Sequence, residues 1–382
     1  MKNLKTACLL TIILLASAQA VEASFFGQFI DPEDGKFDMS EYLASQTGFF
    51  PVPIVISDPA VGYGGGLAIG YYHQRAKEEQ QKEDESNRQE LPPTVSFVAG
   101  AYTENDSWLA AGGHVASWKE DTMRYTGVAG YGNFNLQFYG VQSGTNPDDR
   151  AFKFNLQGFF LLQELIYRVK QSNFFVGGRY TYLSSEIAFD IFEEIPDAPK
   201  VQFDTRTGGL GLIVKYDTRD NITSPNKGHY AKFEPMFYNE AFGGDFDYTK
   251  TKIASFSYWP IAKLVLGVRL EADFSSGDVP FYDVPFINLR GIPALRYQGE
   301  DVFVSELEAR WDVTPRWSLV GFFGSGWTAD SVGELFKDSS EVAGGGGIRY
   351  LIARKQNMRV GLDVARGPED TVVYLAVGSS WK

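Results

Sequence analysis

Cysteine is almost missing from these 382 residues, Cys8 being the one thiol, and it lies in an apolar leader. Disulfides, zinc–thiolate sites and cysteine nucleophiles are therefore excluded together from the chain beyond that leader. Long apolar runs are missing too. Ala7 to Ala16 is the one extended stretch, and it falls short of the about 20 residues a spanning helix needs. Positive charge is in deficit, with 35 Lys and Arg against 48 Asp and Glu and a formal net charge of −13, so no nucleic-acid partner is expected. The three histidines, His73, His114 and His229, match no metal-ligand spacing. Gly62 to Gly66 and Gly344 to Gly347 look like phosphate loops only on the surface, because neither opens a helical pattern. Gly324-Ser325-Gly326 lacks the strand-to-helix elbow of a hydrolase nucleophile. No cofactor, metal or catalytic set is implied, and an enzyme is not expected.

What is present begins with an export signal. Lys2 and Lys5 precede the apolar run, and Ala18-Gln19-Ala20 offers the small residues of a cleavage site, with Ala23 as the second choice. Residues 1–20 read as a signal peptide, 21–48 as a short periplasmic segment with a helix near Met39 to Ala44, and 49–382 as one barrel domain. Aromatic residues make up 15% of the chain, glycine is abundant at 40, and mean hydropathy is −0.20. Membrane residence on such a composition has to use strands.

The strand pattern is explicit. Between Ala262 and Phe274, Leu264, Leu266, Val268 and Leu270 alternate with Lys263, Arg269, Glu271 and Asp273, so a strand is apolar on one face and charged on the other. Met358 to Ala365 and Val302 to Trp311 repeat the pattern, the latter with Glu306, Glu308 and Arg310 on its polar face. Such segments predict an all-β transmembrane antiparallel barrel of about sixteen strands between residues 51 and 381. The first is interrupted by Pro51 and Pro53 and the last runs over 371–381. With both termini in the periplasm, the long connections Glu186 to Phe203 and Ser275 to Glu300 face outside. Most of the opposite connections are tight turns; Gln74 to Pro93, a solvated charged run, and Asp217 to Gly228 are the exceptions. All seven tryptophans fall near predicted strand ends, where interfacial girdles belong.

The second half carries a family resemblance. Tyr216-Asp217-Thr218-Arg219-Asp220-Asn221, Pro225-Asn226-Lys227-Gly228 and Gly243-Gly244-Asp245-Phe246-Asp247-Tyr248-Thr249-Lys250 resemble the turn and strands of the BamA/TamA superfamily, the bacterial surface antigen barrels. Leu289-Arg290-Gly291 resembles that family's motif in the sixth extracellular loop (275–300), Leu307-Glu308 its next strand, and Gly378-Ser379-Ser380-Trp381 its closing strand and C-terminal barrel signal. The resemblance implies that Arg290 folds into the lumen and pairs with a carboxylate. Glu308 is the best match, with Glu306 or Asp363 as substitutes where the family's second acidic residue is replaced by Phe322-Phe323-Gly324. Gly291 lets the backbone turn there.

Too few residues precede the first strand to hold the family's POTRA domains, and the chain ends in Lys382 after Trp381. The family role implies outer-membrane insertion, assembly or translocation of proteins, or movement of lipid. Its partners would be outer-membrane lipid, client outer-membrane proteins and a separate periplasmic protein. A passive channel or structural barrel is the alternative.

Overall fold

In the computed structural model of the chain the described residues are 27–45, 48–58, 60–73, 94–139, 152–189, 201–337 and 340–381. The expected signal peptide and the charged run 74–93 lie outside them. A helix α1 (Ser40–Ser45) is followed by β1 (Gly48–Asp58), β2 (Gly62–Tyr72), β3 (Val95–Thr103), β4 (Trp108–Trp118), β5 (Met123–Phe138) and β6 (Phe152–Arg168). Next come β7 (Phe174–Phe189), β8 (Val201–Asp217), β9 (Gly228–Tyr238), β10 (Tyr248–Ile261) and β11 (Leu264–Gly277). The series ends with β12 (Asp301–Asp312), β13 (Trp317–Ala329), β14 (Glu341–Ala353), β15 (Met358–Arg366) and β16 (Thr371–Val377). Each pairs antiparallel with the next in one sixteen-stranded sheet. No described helix is long and apolar enough to cross a membrane.

Alternation turns each strand into part of a wall. On β11, Leu270 is exposed outward while Arg269 and Glu271 are buried inward. The start of β1, the end of β16 and the described even-numbered turns lie at one rim, called periplasmic here after the orientation expected from the sequence, and the described odd-numbered turns lie at the opposite, outer rim. Trp118, Trp259, Trp311 and Trp317 sit at the periplasmic ends of their strands, and Trp108 and Trp327 at the outer ends.

On β5 to β8 the polarity of the wall inverts along its height. Near the periplasmic rim, Leu165, Leu210 and Leu212 face outward, while Glu164 inside pairs with Arg179 and Lys215. Toward the outer rim, Phe154, Leu156 and Ile187 are buried inside against Phe281, Phe286 and Leu295 of the β11–β12 connection. On the outside of that same stretch stand Asn133, Gln157, Glu186 and Asp204, cross-strand neighbours in one row. An apolar exterior belongs in hydrocarbon and a polar one in water, so the inversion marks the bilayer edge. These four strands hold 16, 17, 16 and 17 residues, whereas about 9–11 suffice to span, so their outer ends project beyond the membrane.

The ends of the sheet differ from expectation. β1 is an uninterrupted eleven-residue strand paired with β2 along its whole length. Pro51 and Pro53 share one parity, so an intact ladder to β2 puts their missing donors on the free edge, where proline is tolerated. β16 holds only seven residues and stops at Val377, four short of the predicted end. β1 and β16 lie beside each other without a ladder between them.

Leu212, 60% exposed on the outer face of β8, tests the placement of the band. Leu212→Arg is expected to cost about 2–4 kcal/mol in urea unfolding from lipid vesicles. Gln202→Arg, above the inversion on the same face, stays within about 0.5 kcal/mol.

Candidate functional site in the barrel lumen

The connection between β11 and β12, residues 278–300, returns into the barrel instead of standing above it. Its two limbs pair with each other: Ile287 N–H donates to the Tyr297 carbonyl at 3.0 Å, and Gln298, fully buried, donates to the Phe281 carbonyl at 2.8 Å. Ile287, Leu289 and Ile292 pack against Val302, Val304 and Ala343 of the wall. Gly324 and Gly326 make room for it, since a Cβ there would stand 2.6 Å from Leu289 and 2.4 Å from Ile287. The Gly-Ser-Gly triplet of β13 is thus a seat for the loop.

Arg290 sits at the loop tip with its side chain 10% exposed. Its Nε donates to Glu306 Oε1 at 2.9 Å, and its Nη1 donates to Asp363 Oδ2 at 3.1 Å and to Ser380 Oγ at 3.0 Å. Nη2 also lies 2.8 Å from Glu308 Oε2. The three carboxylates named from the sequence therefore surround one guanidinium, with the directed hydrogen bonds going to Glu306 and Asp363. Where the second acidic residue of the next strand was expected, Phe322 places its ring 3.5 Å beneath the guanidinium carbon, a cation–π contact in place of an ion pair. Two of the three carboxylates are shared: Glu306 accepts from Arg269 at 3.1 Å, and Asp363 accepts from Arg349 at 2.8 Å. Charges of alternating sign so extend from β11 to β15, which compensates their burial.

The loop is also tied to the last hairpin. Gly291 has φ +97, and a Cβ there would meet the Gly367 nitrogen at 2.9 Å, so only glycine fits this turn. Its N–H donates to the Tyr374 hydroxyl on β16 at 2.9 Å, and Arg296 donates to Glu369 at 3.0 Å.

Gly378 and Trp381, expected to complete the last strand, do something else. The chain leaves the wall at Gly378, and Ser379 N–H donates to the Thr223 carbonyl at 2.6 Å. Trp381, 3% exposed, then packs inside against Phe256, Tyr258 and Val265 and donates its indole N–H to Glu306 at 2.8 Å. It belongs to the lumen and not to an interfacial girdle, being buried with its N–H on a carboxylate of the inner wall.

Two further inserts were not foreseen as such. The β8–β9 connection, the long periplasmic turn noted in the sequence, reaches across to the β14–β15 turn. Asn221 donates to the Gln356 carbonyl at 2.9 Å, and Asn357 to the Ser224 carbonyl at 2.7 Å. The segment before β1 clamps Arg316, 1% exposed, between Asp31, Asp34 and Asp38. Met39 N–H donates to the Ile352 carbonyl at 2.6 Å, and Tyr350 OH to the Phe37 carbonyl at 2.7 Å. The segment is held at β13 to β15, and β1, on the far side of the β1/β16 seam, begins three residues after α1 ends. The Asp31, Asp34, Asp38 spacing was visible, but nothing local pointed to an arginine 282 residues away from Asp34.

Residues 133–288 match the family described as the Omp85 superfamily domain, a span that ends two residues before Arg290. Among solved structures, the fold is similar to BamA from Haemophilus ducreyi lacking POTRA domains 1–3, with a TM-score of 0.58 and 11% identity over 87% of this chain and 70% of that one. It is also similar to CdiB from Escherichia coli, with a TM-score of 0.57 and 10% identity over 86% of this chain and 61% of that one. CdiB from Acinetobacter baumannii gives a TM-score of 0.56 and 10% identity over 87% and 60%. The chain thus spans about three-fifths of each CdiB chain. No curated protein matches.

Two outcomes test the clusters. Arg290→Ala leaves Glu306 and Asp363 short of a partner and is expected to cost about 3–5 kcal/mol, read as a lower unfolding midpoint; Arg290→Lys recovers part of it. At the periplasmic rim, the hydrogen bonds from Arg316 hold Asp34 down at about 2. A depressed carboxylate stabilises fully above its ordinary pKa of about 4 and loses that stabilisation as pH falls through the folded value. The segment should therefore loosen between about pH 4 and pH 2, seen as a drop in anisotropy of a fluorophore on Lys36→Cys.

Proposed function

With an Omp85 superfamily domain over residues 133–288 as the premise, we propose that this outer-membrane barrel inserts or translocates proteins at its β1/β16 seam. The observation that carries the reading is the mismatch of the two seam strands. β1 offers eleven residues of backbone with Phe49, Val52 and Val55 exposed, while β16 has seven and its tail turns inward. An unpaired strand edge is a template for another chain's strand. The prolines keep that edge from pairing fully with β16, and a client strand of different register meets the same free carbonyls.

Two contacts hold the seam in its present arrangement. Inside, the Arg290 loop braces β15 and β16 through Asp363 and Tyr374. At the periplasmic rim, the N-terminal segment bridges from the Arg316 clamp to β1. Opening the seam then requires loosening one or both, so the loop and the segment act as its two latches. Binding of a periplasmic partner to the N-terminal segment is one way to loosen the periplasmic latch without touching the lumen.

The passive-channel reading is less well supported. The lumen holds the β11–β12 loop, the β8–β9 turn and the C-terminal tail, each hydrogen-bonded to β12 of the wall, the loop and tail at Glu306 and the turn at Arg310. A photo-crosslinking residue at Val52 or Val55 in cells is the test. Adducts with newly made barrel proteins at β1, and not at the same depth on β8, are the expected result. No adducts, together with steady ion conductance in vesicles, would replace the proposal by a channel.

A further inference from the structure

We propose that the outer face of β5 to β8, just above the polarity inversion, is a docking site for the carbohydrate headgroup of an outer-leaflet glycolipid. A concavity of about 650 Å³ lies there, lined by Tyr131, Gln157, Phe159, Ser184, Glu186 and Arg206. It does not belong to the lumen network: the inner faces of these strands carry Phe154, Leu156 and Ile187 instead.

Its position decides what meets it. The row Tyr131, Phe159, Ser184, Arg206 is the last before the wholly polar row Asn133, Gln157, Glu186, Asp204. Rings at a strand height where apolar exterior gives way to polar mark the interface, so this surface looks sideways into lipid headgroups.

The concavity is also built. The β9–β10 connection folds back on the exterior of β8 and walls one side. Asp245 N–H donates to the Arg206 carbonyl at 2.8 Å, Arg206 Nη2 donates to Asp245 Oδ1 at 2.6 Å, and Tyr180 OH donates to the Phe242 carbonyl at 3.0 Å. On the opposite side an amide ladder fixes side chains before any ligand arrives. Asn155 Nδ2 donates to Asn133 at 2.6 Å and to Asn135 at 2.8 Å, and Gln157 Nε2 donates to the Tyr131 hydroxyl at 3.0 Å.

The chemistry selects hydroxyl-rich ligands. Sugar hydroxyls donate and accept at once, and planar amides, carboxylates and a guanidinium satisfy neighbouring pairs of them, while ring faces cover the C–H surface. Glu186 and Asp204 face each other across the strands, and Arg206 is already paired with Asp245. That balance repels a bare phosphate, so the sugar portion is the part recognised here, with the acyl chains running down the leucines of β6 and β8.

Lipopolysaccharide with a short core oligosaccharide is the probe. The full barrel, purified in detergent, is incubated with it and the bound lipid counted by intact-complex mass spectrometry. One glycolipid retained by the parent chain is expected, with retention about tenfold lower for Gln157→Ala/Glu186→Ala. Ser184→Trp, which fills the concavity and touches no lumen contact, should abolish it. The heat-dependent gel shift confirms that each variant is folded. Equal retention by folded variants, equal retention of phosphatidylethanolamine, or no competition by the free core oligosaccharide would each overturn the proposal.

Discussion

A guanidinium enclosed by a barrel wall has to be neutralised where it sits, and the arrangement of this lumen follows from that requirement at Arg290. Glu306 and Glu308 from β12 and Asp363 from β15 converge on it, and Arg269 and Arg349 balance the surplus negative charge. Removing one member leaves its buried neighbours short of a partner, so the loop, four strands and the C-terminal tail are energetically one unit. The Phe322 ring beneath the guanidinium and the Trp381 indole on Glu306 belong to the same unit. Both do with aromatic chemistry what a further carboxylate or a solvent molecule would do elsewhere.

That unit explains why the seam lies where it does. Pairing of β16 is sacrificed when its last residues turn inward to complete the lumen network, so the wall is shortest beside the long free edge of β1. The same loop that rests on Arg290 is held at its outer part by an apolar core formed with the projecting ends of β5 to β7. One side of the barrel therefore anchors the loop rigidly while the other side receives its tip. A loosened tip would act on β15 and β16, leaving the anchor undisturbed.

Much of the wall was legible in the sequence because strand periodicity is local. Leu264 to Phe274 announces both faces of β11, and Met358 to Ala365 those of β15. Arg290 with Glu306, Glu308 and Asp363 was found through a motif together with the polar face of one strand. What stayed hidden depends on contacts between distant parts of the chain. Nothing near Trp381 distinguishes a closing strand from a tail that enters the lumen, and only the acceptor on Glu306 decides it. The inverted polarity of β5 to β8 reads locally as plain alternation, since apolar inside and apolar outside give the same period. Arg316 sat in an ordinary tight turn, and its three aspartates in a segment with no strand pattern at all.

Hydrogen exchange in lipid tests most directly the claim that the Arg290 network holds the final hairpin against the seam. Amide exchange would be compared segment by segment between the parent chain and Arg290→Ala. Faster exchange confined to β15, β16 and the 378–381 tail, with β5 to β8 unchanged, is the result this account predicts. Unchanged exchange in β15 and β16, or an equal rise throughout the barrel, would contradict it.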